Sequence, residues 1–382
     1  MTPNKKLIIL VEGIVFTAKN NLNGSRTGVY FLMKNICERL YRHPDVELKI
    51  FFQYPEQISQ QQIQDCFGGS YLINCLDTSN IKVGEDSLNL LMFLEAANGK
   101  LYTIPNAKIF QVIHDLAYHC CDELKNTKRD AWVTEFEKRI IDSIKPESYV
   151  LCVSQNTKKD LINLTNFSPE RAEVFYSGIK DELSPRFLEE ITLSDIKSKI
   201  KIPDGAQYIL ALSTVKPNKN FQAILNVIDR ITESNPEFNI YLIIAGDWGG
   251  DEDFWKSLSL KNKDKARFVG YVSDEFLPHL YSGAVCLLYP SFYEGFGMPL
   301  IEAMSYGTPV VASNRGSIPE VVGPDVETFD AYDVAGMANK IVNWCRNPEQ
   351  RDIDGQIAKE RSKFFTWDKA VDKIVEFIKS NQ

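Results

Sequence analysis

The sequence predicts an α/β protein of two doubly wound domains in series, each a parallel sheet with helices on both faces. Three observations carry this prediction. Short β-rich runs alternate with helical patterns along most of the chain, as parallel strands joined by helical crossovers require. The alternation breaks once, in a charged and irregular stretch at 179–206, and then restarts. A length of 382 residues also exceeds what one hydrophobic core usually serves.

The elements follow in order. "LIILVE" (7–12) reads as a first strand. The next segment repeats Val29, Leu32, Met33, Ile36, Cys37, Leu40 and Tyr41 at helical spacing. "ELKIFF", "KIFQVIHD", "YVLCVS" and "AEVFYS" supply further strands, with a helical segment at 130–144 among them. After the irregular stretch, which reads as an interdomain connection, come "YILALS", a helix from about Phe221, "IYLIIAG", "RFVGY", "VCLLYP" and "PVVAS". The closing "WDKAVDKIVEFI" sets Trp367, Ala370, Val371, Ile374 and Ile378 on one helical face. No internal repeat or low-complexity tract appears, and the short "QISQQQIQD" reads as a solvated helix. Two such domains present two sets of strand C-terminal loops, where doubly wound sheets bind ligands. If those sets face each other, the site is the cleft between them.

Composition narrows the function. Hydrophobic residues at 44% and charged residues at 25% are ordinary globular values. The net charge of −8 is uneven: residues 1–180 hold 21 basic and 21 acidic side chains, leaving 22 and 30 beyond. A chain without a basic face is a poor general nucleic-acid binder, and none is expected as partner. The eight cysteines show no C-x-x-C spacing and read as buried thiols of a reducing compartment. The His119–Cys120–Cys121 run lacks metal-ligand spacing and reads as packing. "NKKLIILVEGIVF" resembles a signal peptide, but Glu12 breaks its apolar run and no small-residue cleavage site follows. No stretch reaches the ~18 apolar residues that a bilayer span needs. The expected location is the cytoplasm.

The densest local information lies in "SFYEGFGMPLIEAMSYGTPVVAS" (291–313). Pro299 has no N–H to lose and a preset φ, so it fits the first turn of a helix starting near Met298. Leu300, Ile301, Ala303 and Met304 are its apolar positions, Gly307 stops it, and Pro309 blocks continuation. Glu294 then lies in the loop before the helix and Glu302 one turn inside it. Between them lie N–H groups without intrahelical partners, and such a helix start favours an anion. The two carboxylates therefore flank a place for a phosphate.

Three other strand ends offer polar groups. Gly24 and Gly28 in "NLNGSRTGVYF" are not spaced as G-x-G-x-x-G, so the dinucleotide fingerprint fails. A plain glycine turn and a substrate loop fit that spacing equally. His114 and Asp115 end a strand in "VIHDLAYH", a pair more often structural than catalytic when taken alone. "STVKPNKNF" carries Lys216 and Lys219 on a loop that by itself is a solvated basic turn.

Together these segments resemble the family-4 retaining glycosyltransferases over nearly the whole chain. The most specific part, 267–323, is similar to that family's E-x7-E region. "VIHDLAYH", "LCVSQNTKKDL" and "VFYSGI" are similar to its first-domain segments, and "FTWDKA" to its closing helix. The resemblance implies the GT-B fold, two facing Rossmann-like doubly wound domains with a cleft between them. An acceptor-binding domain would cover 1–183 and a nucleotide-sugar-binding domain 184–365. A C-terminal helix over 366–382 would pack back toward the first domain.

The resemblance also implies site roles. The catalytic positions would be His114, beside the transferred sugar; Glu294, on that sugar's hydroxyls; and Lys219, on the diphosphate. Phe296, Gly297 and Met298 would reach sugar and diphosphate through their backbone. Glu302 would accept from ribose hydroxyls, Val272 would help seat the base, and Gly28 would let the first glycine loop approach the donor. Two positions depart from the family. Thr214 takes the donor-site place where many members carry an arginine, and Asn218 replaces a second arginine. Lys219 would then need Lys216 or Arg315 to complete the phosphate clamp.

The implied activity is retaining transfer of a hexosyl unit from a nucleotide-diphosphate sugar to a saccharide or polyprenyl-linked saccharide, in cell-surface polysaccharide synthesis. A mannosyl unit is favoured, with glucosyl or deoxyhexosyl as alternatives. No cofactor and no metal is expected, because a lysine and a helix N-terminus can stabilise a departing diphosphate. No D-x-D element stands at a strand end, and "DGAQ" and "DWGGDED" read as loops. Two rivals stay open: a GT-B nucleotide-sugar isomerase, and a catalytically silent glycosyltransferase-like binding protein. Peripheral contact with the inner face of a membrane would suit a lipid-linked acceptor, although no strongly basic amphipathic helix is present.

Overall fold

The structure is a computed structural model that describes residues 6–12, 28–52, 76–77, 88–93, 107–124, 130–180, 183, 192–212, 216–246, 259 and 261–382. The chain divides into two compact units. The first comprises Met1–Cys120, Lys128–Gly178 and Thr366–Gln382; the second comprises Cys121–Thr127 and Ile179–Phe365. The division thus falls after Gly178 rather than after residue 183, and the second unit takes a short segment from within the first half.

The first unit is built on seven strands: β1 Leu7–Glu12, β2 Val46–Phe52, β3 Leu76–Asp77, β4 Leu88–Phe93, β5 Ala107–Ile113, β6 Tyr149–Cys152 and β7 Ala172–Val174. Their order is β3-β2-β1-β4-β5-β6-β7, with all neighbouring strands parallel. In register, Leu7 pairs with Val46 and Ile8 with Leu88. The sequence reading did not predict β4, "LNLLMF". A short apolar run of this kind cannot be told from a buried helix by periodicity. It is a central strand, and its buried Asn89 side chain donates to Ile8 O at 3.1 Å. The helices Gly28–Arg42 and Asp130–Ser143 form where the apolar spacing placed them. Leu10, Leu90, Ile113, Ile140, Val150 and Leu161 share one core cluster.

The C-terminal helix Trp367–Ser380 belongs to this first unit. Its N-cap Thr366 accepts from Lys369 N, and it packs on Gly28–Arg42. Phe377 stands edge-on to Phe110 and Tyr149, with centroids 6.0 and 5.9 Å away. Arg39 Nε lies 2.9 Å from Asp368 Oδ1, and Lys379 Nζ lies 2.7 Å from Asp45 Oδ2. The packing is tightest at Gly178, where an added Cβ would press into the backbone nitrogen of Trp367 and lie 2.7 Å from its Cγ. Gly178→Ala should therefore destabilise the protein by about 1–3 kcal/mol, the usual cost of overpacking. A melting temperature equal to the wild type's would refute that packing.

The second unit holds β8 Gln207–Leu212, β9 Ile240–Ala245, β10 Ala266–Gly270, β11 Cys286–Tyr289, β12 Val310–Ser313 and β13 Thr328–Phe329. These six parallel strands are ordered β10-β9-β8-β11-β12-β13. The helices Phe221–Ser234 and Val334–Arg346 pack together, and Ile224, Ile228, Ile231, Met337, Ile341 and Trp344 join the strands in one core. Part of the expected interdomain connection is instead a helix, Leu193–Lys199, of the second unit. A capping box starts it: Asp195 N donates to Thr192 Oγ1 at 3.2 Å, and Thr192 N donates to Asp195 Oδ2 at 2.9 Å. The Thr192–Asp195 box was not recognised as a cap because it carries Asp rather than Glu or Gln. "QISQQQIQD", Gly24, Thr214 and "DWGGDED" lie outside the described residues.

Candidate active site

In the second unit the chain winds from β8 to β9 and β10 on one side, and from β11 to β12 and β13 on the other. The order reverses between β8 and β11, and loops leaving two strands that wind apart open a crevice at their carboxyl ends. Lys219 leaves on the β8 side and Glu294 on the β11 side. The single turn Pro217–Lys219 ends at Asn220, whose φ of 52° is left-handed, a conformation asparagine tolerates better than most residues. Buried Asn220 then donates through Nδ2 to Pro290 O at 3.0 Å and Ala331 O at 2.8 Å. Asn218, read from the sequence as a lost phosphate cation, ties the same two loops together. Its Nδ2 donates to Tyr293 O at 3.2 Å, and its carbonyl accepts from Phe292 N at 2.8 Å.

These ties bring Lys219 onto Glu294. The ammonium lies 2.7 Å from Oε1 and 2.8 Å from Oε2, and 3.3 Å from the Tyr289 hydroxyl. Both charged side chains are largely buried, so the pair is more than a screened surface contact. Burial, with the Glu294 charge beside it, holds the Tyr289 hydroxyl well above its usual pKa, and it stays protonated. The Glu294 backbone is fixed as well. The Ser317 hydroxyl lies 2.9 Å from Glu294 O and 3.0 Å from Phe296 O. A Cβ on Gly316, whose φ is 55°, would sit 3.0 Å from both the nitrogen and the oxygen of Glu294. Only glycine satisfies the conformation and the clearance together.

The helix Met298–Ser305 begins directly after this loop, with Gly297 left-handed at its N-cap and Pro299 in its first turn. Pro299 has no N–H and Leu300 N donates to Gly297 O at 3.0 Å, so the helix start offers the backbone donor of Met298 and the partial positive charge of its dipole. Glu302 lies inside it, 2% exposed. The Tyr281 hydroxyl donates to Glu302 Oε2 at 2.8 Å, and Lys180 Nζ stands 3.7 Å from Oε1. The crevice thus offers a lysine, a helix start and two oriented carboxylates, a set suited to an anion carrying hydroxylated groups on both sides.

The other expected positions fall as follows. Phe296 is buried, edge-on to Phe365 at 5.6 Å, and Met298 is the first helical residue. Val272 is half-buried just after β10. Arg315 pairs with Asp330 at 3.4 Å on the surface. His114 follows β5 in the first unit, where burial lowers its pKa to about 4 against the opposing charge of Asp115. Its imidazole is therefore neutral at pH 7, a hydrogen-bonding group rather than a cation. Gly28 opens the first helix, and a Cβ there would meet nothing within 4 Å among the described residues. Asn220, Tyr281, Tyr289 and Ser317 were not anticipated. The sequence carries no signal that marks the tyrosines, and only a residue tolerant of positive φ just before a helix hinted at Asn220. Among the described residues, no group of three His, Cys, Asp or Glu is placed to hold a metal ion, and no helix is long and apolar enough to cross a membrane.

The model of the family described as glycosyl transferases group 1 matches residues 194–361, which carry Lys219, Glu294 and Glu302. The O-antigen chain mannosyltransferase B of Escherichia coli is 30% identical over 268 residues, 70% of this chain and 68% of that protein. A serotype-specific mannosyltransferase of Escherichia coli is 26% identical over 231 residues, 58% of this chain but 27% of that longer protein. In architecture, the chain superposes on Anabaena HepE, solved in complex with UDP-glucose, with a TM-score of 0.71 at 17% identity, covering 98% of this chain and 100% of that one. It superposes on WaaG, a glycosyltransferase of lipopolysaccharide biosynthesis, with a TM-score of 0.63 at 14% identity, covering 97% and 99%. With two parallel-sheet α/β domains of the GT-B type and these sequence matches, the chain belongs to the group 1 glycosyl transferases.

Proposed function

We propose that this glycosyl transferase moves a hexosyl unit, of mannosyl type, from a nucleotide-diphosphate sugar to a saccharide or polyprenyl-linked saccharide acceptor, with retention at the anomeric carbon. The observation that carries the reading is the Lys219–Glu294 pair beside the start of the Met298–Ser305 helix, at the switch point of the sheet. The mannosyl assignment draws on the two mannosyltransferase relatives. Lys219 has three N–H donors, so it can keep Glu294 while meeting a diphosphate oxygen. As the glycosidic bond breaks, charge grows on the leaving diphosphate, and the lysine and helix start oppose it. Glu294 accepts from the transferred sugar's hydroxyls and Glu302 from the ribose. The backbone of Phe296, Gly297 and Met298 meets sugar and diphosphate, Val272 the base, and neutral His114 a sugar hydroxyl. Gly28 and Thr214 are assigned to donor binding. The work is done in the cytoplasm, at the inner face of a membrane when the acceptor is lipid-linked.

Product analysis with GDP-mannose, UDP-glucose and dTDP-sugars, with and without oligosaccharide acceptors, tests the reading. Elongated acceptor with an α linkage from an α donor is the expected product. Conversion of the nucleotide sugar without acceptor would establish an isomerase instead, and nucleotide-sugar binding without turnover a silent binding protein.

The charges that meet the diphosphate are supplied by the protein, so turnover should persist in excess EDTA within about twofold, because removing a metal that stabilises no charge changes no barrier. Loss of activity on chelation, restored by Mn²⁺ or Mg²⁺, would contradict metal-independent transfer.

A further inference from the structure

Glu302 is a carboxylate with 2% exposure, and burying it is costly unless its charge and lone pairs are met. Two groups meet them. Tyr281, 0% exposed, donates to Oε2 at 2.8 Å, and its ring stacks on Tyr306 with centroids 6.0 Å apart and planes 12° from parallel. Burial and the adjacent Glu302 charge raise the Tyr281 hydroxyl well above its usual pKa, so it donates throughout the working range. The backbone behind it is held by Thr308 Oγ1, which donates to Tyr281 O at 2.8 Å. Lys180 stands 3.7 Å from Oε1, beyond hydrogen-bond length, and 3.5 Å from Asp274. Tyr306 itself donates through its hydroxyl to Leu183 O. One oxygen of Glu302 is thus committed to a rigid buried donor, while the other is charge-compensated without a short hydrogen bond to that cation.

We propose that Tyr281 and Lys180 are positioning residues for donor binding. Tyr281 locks the Glu302 rotamer by taking Oε2, so that Oε1 is presented to a ribose hydroxyl. Lys180 sets a cation 3.7 Å from Oε1 and so biases that oxygen's position. The inference rests on the reading of Glu302 as the ribose acceptor, and a structural tyrosine would serve equally well for ribose and deoxyribose. A residue that aims the carboxylate would not.

The test uses the nucleoside diphosphate that gives the largest thermal shift among GDP, UDP, dTDP and ADP. Its affinity and those of its ribo, 2′-deoxy and 3′-deoxy forms are measured by calorimetry on the wild type, Tyr281→Phe and Lys180→Met. The wild type should prefer the ribo form about tenfold or more, as loss of a hydrogen bond to a charged group predicts. In Tyr281→Phe that preference should shrink to about twofold, and in Lys180→Met it should fall in the same direction. In donor kinetics the loss should appear in KM rather than in kcat. A full ribo preference in both variants would overturn the positioning role and leave Glu302 as the ribose acceptor. No preference in the wild type, or no shift with any of the four nucleotides, would overturn the ribose reading and this inference with it. If Tyr281→Phe does not fold, Lys180→Met, with its partly exposed side chain, decides the outcome alone.

Discussion

Lys219→Ala is expected to lower turnover at saturating donor by roughly 10²-fold or more, the typical loss when one charge-stabilising donor is removed from a reacting centre. The ammonium lies 2.7 and 2.8 Å from the two Glu294 oxygens, so the variant also leaves a buried carboxylate without its cation. That should lower the melting temperature, because an uncompensated buried charge is strongly destabilising. The two consequences are separable. In the double variant Lys219→Ala/Glu294→Gln the stranded charge is gone, so stability should recover beyond the sum of the single effects while turnover stays low. Near-normal kcat in Lys219→Ala would remove the lysine from the chemistry. Recovery of turnover in the double variant would remove both Lys219 and Glu294 from the chemistry.

Much of this arrangement was legible in the sequence, and the illegible part has physical reasons. Pro299 and Gly307 bracketed the short helix because proline's fixed φ suits a first turn and glycine readily takes the left-handed φ of 74° that ends it, and the structure starts it at Met298. Strands with β-rich runs beside turn residues were equally readable. β4 was not, since six residues that are apolar but for Asn89 fit a buried strand or a buried helix turn alike. The Leu193–Lys199 helix hid in a charged stretch because a helix of about two turns is set by its cap, not by periodicity. At the site, the carboxylates could be named because they flank a helix start set by Gly297 and Pro299, whereas Lys219 was named only through the family resemblance. What could not be read was their support. Asn218 looked like a missing cation, yet it joins the β8 and β11 loops through Tyr293 and Phe292. Tyr281 and Tyr289 were not singled out because a hydroxyl at the end of an aromatic ring leaves no trace in a hydrophobicity pattern. Which residue a hydroxyl meets depends on how β8, β11 and the helix after Gly297 come together in space.

The two carboxylates should separate most clearly from each other. Glu302, fixed by Tyr281 within the helix, is assigned to the ribose, a part of the donor that does not react. Glu294, paired with Lys219, is assigned to the sugar that gains positive character as the bond breaks. Interactions equal in ground and transition states change mainly KM, whereas those stronger in the transition state change kcat. Calorimetric titration of the nucleoside diphosphate into Glu294→Gln and Glu302→Gln, beside steady-state kinetics on both, measures the difference. Glu302→Gln should lose about tenfold or more in affinity for the free nucleotide and for the nucleotide sugar alike, by the loss of a charged acceptor. Glu294→Gln should bind the free nucleotide nearly as the wild type does while its kcat falls by roughly 10²-fold. Loss of nucleotide affinity in Glu294→Gln with unchanged affinity in Glu302→Gln would contradict the placement of two separate sugars on these two carboxylates.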